Sequence, residues 1–362
     1  MLDVAKRAKV SISTVSYALN GTRPISEETR RRITQAIEEL GYRPHPLARG
    51  LASKRSRILA ILFPAIERGL GITELEFVAS AAHAASKNGY HLVVWSSETN
   101  DPDELHQLTQ QGLVDGVILM EVHVNDTRVI LLRETGFPFS MIGRCDDDCD
   151  GYVDIDFNQT IEEALQYLTG LGHTNIAYLN QSEKSYEAGY GPVVRTKDAF
   201  ENYIHSSGIK GQMRFCRPSP QSGYDVFSSL LQEFPDLTAV VSMNDRATPG
   251  IMRAIIEHGW KIPDDFSIVA LVSSVRMAEM MVPKLTTMEP PSAELGRLAT
   301  ELLIKHLEGE GDGNPRILIP CRLVVGESSS ICRRNSDGPN QEGGRDSEKD
   351  NQVSLQSHHE TY

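Results

Sequence analysis

Ser13, Ser16, Tyr17 and Asn20 fall at helical spacing on a segment that also carries Val15, Ala18 and Leu19 at i, i+3, i+4. The first set is mostly small and polar, the second apolar. This predicts a helix with a buried inner face and an outer face able to hydrogen-bond base edges in a DNA major groove. Ser11 is placed to cap its start, and Gly21 ends it. A helix over about residues 2–8 precedes it, with Val4, Ala5 and Ala8 as its apolar stripe and Lys9-Val10 as the turn. A third helix follows a Ser26 cap, with Glu27 and Glu28 in the first turn, where the helix dipole favours them. Ile33, Ala36, Ile37 and Leu40 make its buried stripe, and Gly41 stops it. Periodicity alone leaves open a plain helical domain with a charged surface.

Charge sets this block apart. Residues 1–57 hold twelve Lys+Arg against five Asp+Glu, while the rest of the 362-residue chain holds 24 against 44. A basic head on an acidic body predicts that one end meets a polyanion and the other does something else. The length allows two or three domains. No apolar run reaches the length of a membrane span. The N-terminus lacks a secretory pattern, which predicts a cytoplasmic protein. Five cysteines do not make a disulfide framework in a chain of this size. Cys145 and Cys149, among Asp146, Asp147, Asp148 and Asp150, are read as unpaired thiols in an acidic surface loop. A metal site would need a His or a second Cys pair nearby. No metal or cofactor is expected.

From Arg57 onward apolar runs alternate with helical patterns. Ile58–Phe63, 91–95, 116–120 and Phe139–Ile142 read as buried strands, separated by helices near 74–88, 101–112 and 126–135. A second series opens after Asp154-Ile155-Asp156, with a helix at about 158–171 and strands at 175–179, 213–216, 238–243 and 267–272. Two such series predict two doubly wound parallel-sheet α/β lobes, with the cleft between them as the default ligand site.

Asp3-Val4-Ala5-Lys6-Arg7-Ala8, Val10-Ser11-Ile12-Ser13-Thr14-Val15-Ser16, Leu19-Asn20-Gly21, Ser26-Glu27-Glu28-Thr29-Arg30 and Glu39-Leu40-Gly41-Tyr42-Arg43-Pro44 closely resemble the DNA-binding domain of the lactose/galactose repressor (LacI/GalR) family. The resemblance implies a helix-turn-helix domain over 1–44 and a hinge helix or linker over 45–56. By matched position, Ile12, Ser13 and Tyr17 read bases, and Thr14, Ser16 and Asn20 hold phosphates, which position the protein without specifying sequence. Tyr17 departs from the Arg often found there and cannot make its forked bond to guanine. Leu51 matches the hinge leucine that wedges between base pairs in the minor groove, and Arg49 would add phosphate charge.

The body resembles the family's effector domain, which is similar to periplasmic sugar-binding proteins. The matching stretches are 168–178, 238–245, Ile262-Pro263-Asp264-Asp265-Phe266-Ser267, Leu285-Thr286-Thr287 and 319–325. The resemblance implies an effector-binding and dimerisation domain over 57–331. Its N-lobe would be 57–153 plus 283–315, including a helix at 293–307 with Leu295, Leu298, Leu302 and Leu303 as core. Its C-lobe would be 154–282 plus 316–331, and 332–362 reads as a disordered tail. Matched positions make Arg195, Asn244, Asp245 and Asp156 candidate effector contacts. Asp156 is also a candidate for a structural role, and Asn244 and Asp245 for helix capping. Three departures count against a polyol. Val272 stands where the family often has a sugar-binding Asp. Asp198-Ala199 replaces a Gly-aromatic pair. The first cleft loop, 64–70, lacks the usual Asn-Pro-Phe-Phe run.

The function implied is a homodimeric, sequence-specific regulator of catabolic genes, a repressor, acting in the cytoplasm at the nucleoid. It would bind a pseudo-palindromic double-stranded DNA operator under control of a small, sugar-like effector. The alternative is a regulator answering to a protein partner or to nothing. An enzyme is disfavoured: the sequence has no Gly-rich phosphate loop, nucleophile elbow or zinc signature.

Overall fold

A computed structural model describes residues 1–20, 23–42, 55–63, 71–96, 102–146, 151–310 and 315–333. The head is three helices, α1 (Leu2–Ala8), α2 (Ile12–Asn20) and α3 (Glu27–Glu39). Lys9, left-handed at φ 53°, ends α1. Ser11 Oγ accepts the Thr14 N–H at 3.0 Å, and Ser26 Oγ accepts the Thr29 N–H at 3.3 Å, so both expected caps form. Val4, Ala5, Ala8, Val15, Ile33 and Ala36 are buried together, with Ala18 and Ile37 packed against them. Leu40 does not join this core: it caps α3 and is 46 % exposed. The chain turns at Gly41, and Tyr42 packs against the core in its stead. A core this small needs ties outside it, and Arg7 supplies one by pairing with Glu39 across α1 and α3. Arg49, Leu51 and the rest of the hinge up to residue 54 lie outside the described residues, as do the 64–70 loop, Cys149 and 334–362.

The chain enters the body under tension. Arg57 has φ 56°, uncommon for a residue with a Cβ. Asp115 holds it there, accepting the Ser56 N–H at 2.6 Å and the Arg57 N–H at 2.8 Å. Arg55 and Arg57 both reach Glu308, at 3.3 and 3.0 Å, which ties the end of the linker to the body.

The unbroken apolar run Ile58–Phe63 forms β1, a strand buried on both faces. There follow α4 (Ile72–Lys87), β2 (His91–Ser96), α5 (Pro102–Gln110), β3 (Gly116–Leu119), α6 (Thr127–Thr135), β4 (Phe139–Ile142) and β5 (Tyr152–Ile155). The second series is α7 (Phe157–Gly170), β6 (Asn175–Asn180), α8 (Glu183–Glu187), α9 (Gly191–Ser207), β7 (Lys210–Phe215), α10 (Pro220–Glu233), β8 (Ala239–Ser242), α11 (Thr248–Glu257), β9 (Ser267–Leu271), α12 (Val275–Ala278) and β10 (Thr286–Glu289). Then come α13 (Ser292–Glu308), β11 (Arg316–Ile319) and β12 (Arg322–Val324).

Two six-stranded sheets result, ordered β11-β5-β4-β3-β1-β2 and β12-β10-β9-β8-β6-β7. Every described pairing is parallel except β10 with β12. The chain passes between lobes three times, and the crossings differ from expectation. β5, holding Asp154 and Ile155, closes the first sheet rather than opening the second. β10 remains in the second sheet although residues from 283 were expected in the first lobe. β11 pairs with β5, so the final return falls between residues 319 and 322, not at 315. α13 does rejoin the first lobe: Leu295 and Leu303 are buried, Leu298 and Leu302 are partly buried, and Ser140 Oγ donates to the Ala299 carbonyl at 2.9 Å.

In the second lobe, α10 and α11 pack at backbone distance. Gly223 lies against the Ala247 backbone and Gly250 against the Pro220 carbonyl, and a Cβ at either would overlap those atoms. This contact seats the turn between β8 and α11, which carries Asn244 and Asp245. Gly250→Ala should therefore destabilise the protein by about 2–3 kcal/mol, because backbone must move to admit a methyl group. Urea unfolding measures this, and a variant within 0.5 kcal/mol of the parent, roughly the surface range, would show that the helices separate freely.

Candidate functional site

Parallel strands all point their carboxyl ends one way, and here the two sheets turn those ends toward each other. The residues that follow β3 (120–122), β4 (143–144), β6 (181), β8 (243–246) and β9 (272) line one cavity of about 300 Å³. Phe77 of α4, Phe157 of α7 and Leu295 of α13 complete its apolar wall.

Hydrogen bonds cross the cleft on both sides of this cavity. On one side the backbones meet: the Val124 N–H donates to the Gly189 carbonyl at 2.7 Å, and the Gly191 N–H to the Val122 carbonyl at 3.1 Å. The Tyr190 hydroxyl donates to Glu121 Oε1 at 2.7 Å. On the other side Thr73, buried at the start of α4, accepts from the Ser274 N–H at 3.1 Å and donates to Asp245 Oδ2 at 3.4 Å.

Arg195, on the second turn of α9, lines the cavity as its matched position predicts. Its Nη2 donates to the Arg144 carbonyl at 2.9 Å and to Asp146 Oδ1 at 3.0 Å, both from the first lobe. Its Nη1 is enclosed and has no hydrogen-bond acceptor among the described residues. A Cβ at Gly191 would strike this nitrogen, so only glycine admits the guanidinium there. Burial, aided by the Arg144 charge, holds its pKa below the usual arginine range.

The other candidates divide. Asn244 faces the cavity, but its Nδ2 donates to the Cys216 carbonyl at 2.9 Å and its Oδ1 accepts the Ala247 N–H at 3.3 Å. Its amide is spent on shaping the turn, so the capping role fits. Asp245 lines the cavity, with burial pushing it up to about 6 and the Glu74 charge adding to the rise. Asp156 does not line the cavity: it N-caps α7, accepting the Gln159 N–H at 3.0 Å. The acid that faces the cavity is Asp154, two residues earlier. It is buried, paired with Arg144 at 2.9 Å, and raised to about 6 by burial despite that partner. Its signal in the sequence is a carboxylate inside an otherwise buried strand, Tyr152–Ile155. Val272 also lines the cavity, at φ 54°. A β-branched residue there is a backbone outlier costing about 1–3 kcal/mol.

In the head, Ile12 and Ser13 are exposed, while Thr14, Ser16 and Tyr17 are half-buried; Asn20 closes α2. Ser11 Oγ lies 2.7 Å from both the Ser13 and Thr14 hydroxyls. The Arg23 guanidinium sits over the Tyr17 ring, 5.1 Å from its centre. A half-buried aromatic braced by a cation is held in one orientation. Among the described residues no group of His, Cys, Asp and Glu could hold a metal ion. Cys145 is disulfide-bonded, against the expectation of an unpaired thiol, whereas Cys216, Cys321 and Cys332 are free. No helix among the described residues is long and apolar enough to cross a membrane.

Two family models match the chain. That of the bacterial regulatory proteins, lacI family, matches residues 1–45, and that of the periplasmic binding protein-like domain matches residues 165–329. Catabolite control protein A of Staphylococcus epidermidis (strain ATCC 12228 / FDA PCI 1200) is 29% identical over 332 residues, 89% of this chain and 96% of the relative. Among solved structures, the transcriptional regulator CelR–cellobiose complex is 26% identical with a TM-score of 0.68, covering 90% of this chain and 98% of that one. The Lac repressor dimer bound to operator and the anti-inducer ONPF is 24% identical with a TM-score of 0.77, covering 91% and 98%. At that identity the likeness concerns the fold.

The raised carboxyl of Asp245 makes stability depend on pH. Its pKa moves from 3.8 to about 6 on folding, so between these values the folded state holds more protons than the unfolded state. Stability contributed here therefore falls as pH rises through that window. Asp245→Asn keeps an acceptor for Thr73 and removes the titration. The variant's stability relative to the parent should rise by about 1–2 kcal/mol from pH 4 to pH 7. Urea unfolding of both proteins across that range checks this, and a difference that stays flat would refute it.

Proposed function

Because the chain is a LacI-family transcriptional regulator, with a LacI-type DNA-binding head on a periplasmic-binding-protein-like body, we propose that it is a repressor whose operator binding is set by a small molecule in the interlobe cavity. It works as a homodimer in the cytoplasm, at the nucleoid, each head reading half of a pseudo-palindromic operator. Ile12, Ser13 and Tyr17 meet base edges. Thr14, Ser16 and Asn20 meet phosphates. Arg49 adds phosphate charge, and Leu51 acts in the minor groove as a wedge whose unstacking cost of a few kcal/mol is offset by the contacts a bent duplex allows. The chain is assigned no catalytic role; its relative is named for catabolite control and its structural neighbours are transcriptional regulators.

One observation carries effector control: a cavity at the carboxyl ends of two sheets is flanked on both sides by hydrogen bonds between lobes. A ligand there touches both lobes at once, so its affinity depends on how the lobes sit. Only such differential affinity lets a ligand shift an equilibrium. Moving a population from 1:99 to 99:1 requires a preference of about 10⁴-fold between the two arrangements. A second reading is favoured by the same contacts. The lobes are joined through Arg195, Tyr190 and Thr73 by the chain's own groups, so a body that holds one arrangement without an effector is also consistent.

Operators selected from a random duplex pool with the full chain should bind at least about 10³ times more tightly than scrambled duplex, with affinity falling as salt rises from 50 to 200 mM. Tyr17→Ala should weaken operator binding by about 1–2 kcal/mol and leave scrambled duplex nearly unaffected. Fluorescence anisotropy on both duplexes reads this. An equal loss on both would show that Tyr17 positions the head and reads nothing.

A further inference from the structure

Most polar groups on the cavity wall are already spent on the chain itself. The Asn244 amide is bound to Cys216 and Ala247 backbone. Tyr190 is bound to Glu121, Arg144 to Asp154, and Thr73 to both Asp245 and Ser274. A sugar offers a hydroxyl on nearly every carbon, and each one brought out of water without a partner opposes binding. This wall has little to give such a ligand. What it does present is apolar: Phe77, Met120, Phe157, Met243, Leu271 and Val272 all face the same space. Aromatic and thioether side chains around about 300 Å³ suit a compact hydrocarbon body.

Among the described residues Arg195 carries the one buried polar atom of this wall that has no hydrogen-bond partner. Its side chain is nine-tenths buried, and Nη1 lacks an acceptor among the described residues. A buried guanidinium N–H left unpaired is unfavourable, and an oxygen acceptor beside it removes the penalty with a charge-assisted bond. Nη1 is packed against Gly191, so the ligand reaches it with a small turn of the guanidinium. Val272 marks the opposite preference. It keeps a strained left-handed backbone where Asn or Asp would sit more easily, and it gives the cavity a hydrocarbon surface there.

We propose that this cavity takes a compact ligand with an apolar ring or branched chain and a single acceptor group, a carboxylate or a carbonyl, held by Arg195, and not a polyol. The proposal rests on effector control of the cavity as read above. It goes further by naming the ligand's chemistry.

The test uses the full chain and two readouts, melting temperature and release from the selected operator. The probes are phenylacetate, phenylacetamide and 4-methylpentanoate on one side, and glucose, ribose and cellobiose on the other. At a hundred times its dissociation constant a binder should raise the melting temperature by about 4 °C or more. The expected result is a shift with at least one of the first set and none with the sugars. Phenylacetate against phenylacetamide separates a charged acceptor from a neutral one. Arg195→Gln should weaken the bound probe at least tenfold, more for the acid than for the amide. Val272→Asp should also weaken it tenfold or more. Asp tolerates the left-handed backbone better than Val, so this variant should fold at least as well as the parent, and its melting temperature alone verifies that.

A sugar that stabilises the protein and shifts operator binding, with the apolar probes silent, overturns the ligand class and leaves effector control standing. Silence from all six also overturns the class. Effector control itself then fails if a small-molecule ultrafiltrate of cells leaves operator binding unchanged. A probe that binds equally to Val272→Asp and the parent places the ligand elsewhere and overturns the proposal.

Discussion

Two backbone hydrogen bonds, Val124 to Gly189 and Gly191 to Val122, join the lobes at the mouth of the cleft. Backbone groups cannot be retracted as a side chain can, so this pair fixes how closely the two sheets approach. The approach then fixes the rest. It buries Arg195 against first-lobe oxygens, sets Tyr190 against Glu121, and encloses a cavity with room for a small ligand. Gly191 takes part twice, as donor in the bridge and as the bare backbone over which the Arg195 guanidinium lies. The bridge and the arginine are therefore one feature, and the cavity is what they leave between them.

The electrostatics of the enclosed space oppose the closure that the backbone favours. Burial raises both Asp154 and Asp245 to about 6, and leaves an Arg195 nitrogen without an acceptor among the described residues. Access to water would relieve each of these. Hydrogen bonds across the cleft and unmet electrostatic need within it thus act in opposite directions, and terms of a few kcal/mol on each side leave the balance open to a ligand. Two strained backbones, at Glu121 and Val272, stand on this same surface. Strain gathered at one place in an otherwise regular α/β fold is expected where arrangement matters more than stability.

The head was legible almost residue by residue, because caps, stripes and the outer polar face are local features with local causes. Ser11 and Ser26 cap their helices as their types dictate. Leu40 does not keep to its stripe, since helical spacing carries no information about where a helix yields to its cap. Eight strands of the body were also legible as apolar runs, although β2, expected to be buried, exposes Val93 and Val94. Four others were not. β5, β10, β11 and β12 are three or four residues long with polar residues among the apolar ones, and only the pairing of each with a neighbour reveals it and decides its lobe. The site shows the same division. Arg195 and Asp245 lie on the cavity as matched positions suggested, while Asp156 turned out to be a helix cap and Asp154 the cavity's acid. Two residues apart at a strand end, one acid belongs to β5 and the other to the start of α7. Sequence spacing alone cannot place that boundary.

What happens in the cavity reaches the head through a fixed point. The chain leaving the linker is clamped to the first lobe: Ser56 and Arg57 to Asp115, Arg55 and Arg57 to Glu308, and Arg55 to the Leu307 carbonyl at 2.5 Å. Asp115 immediately precedes β3, and Glu308 is the last residue of α13, so both anchors sit at the base of the lobe whose opposite end forms the cavity wall. A rigid lobe turns as one piece. Rotation that opens or closes the cleft at one end must displace the anchors at the other, carrying the end of the linker with them. No chain of altered side chains is needed between ligand and linker, only a lobe stiff enough to act as a lever. Six hydrogen-bonded strands with α13 packed on them provide that stiffness.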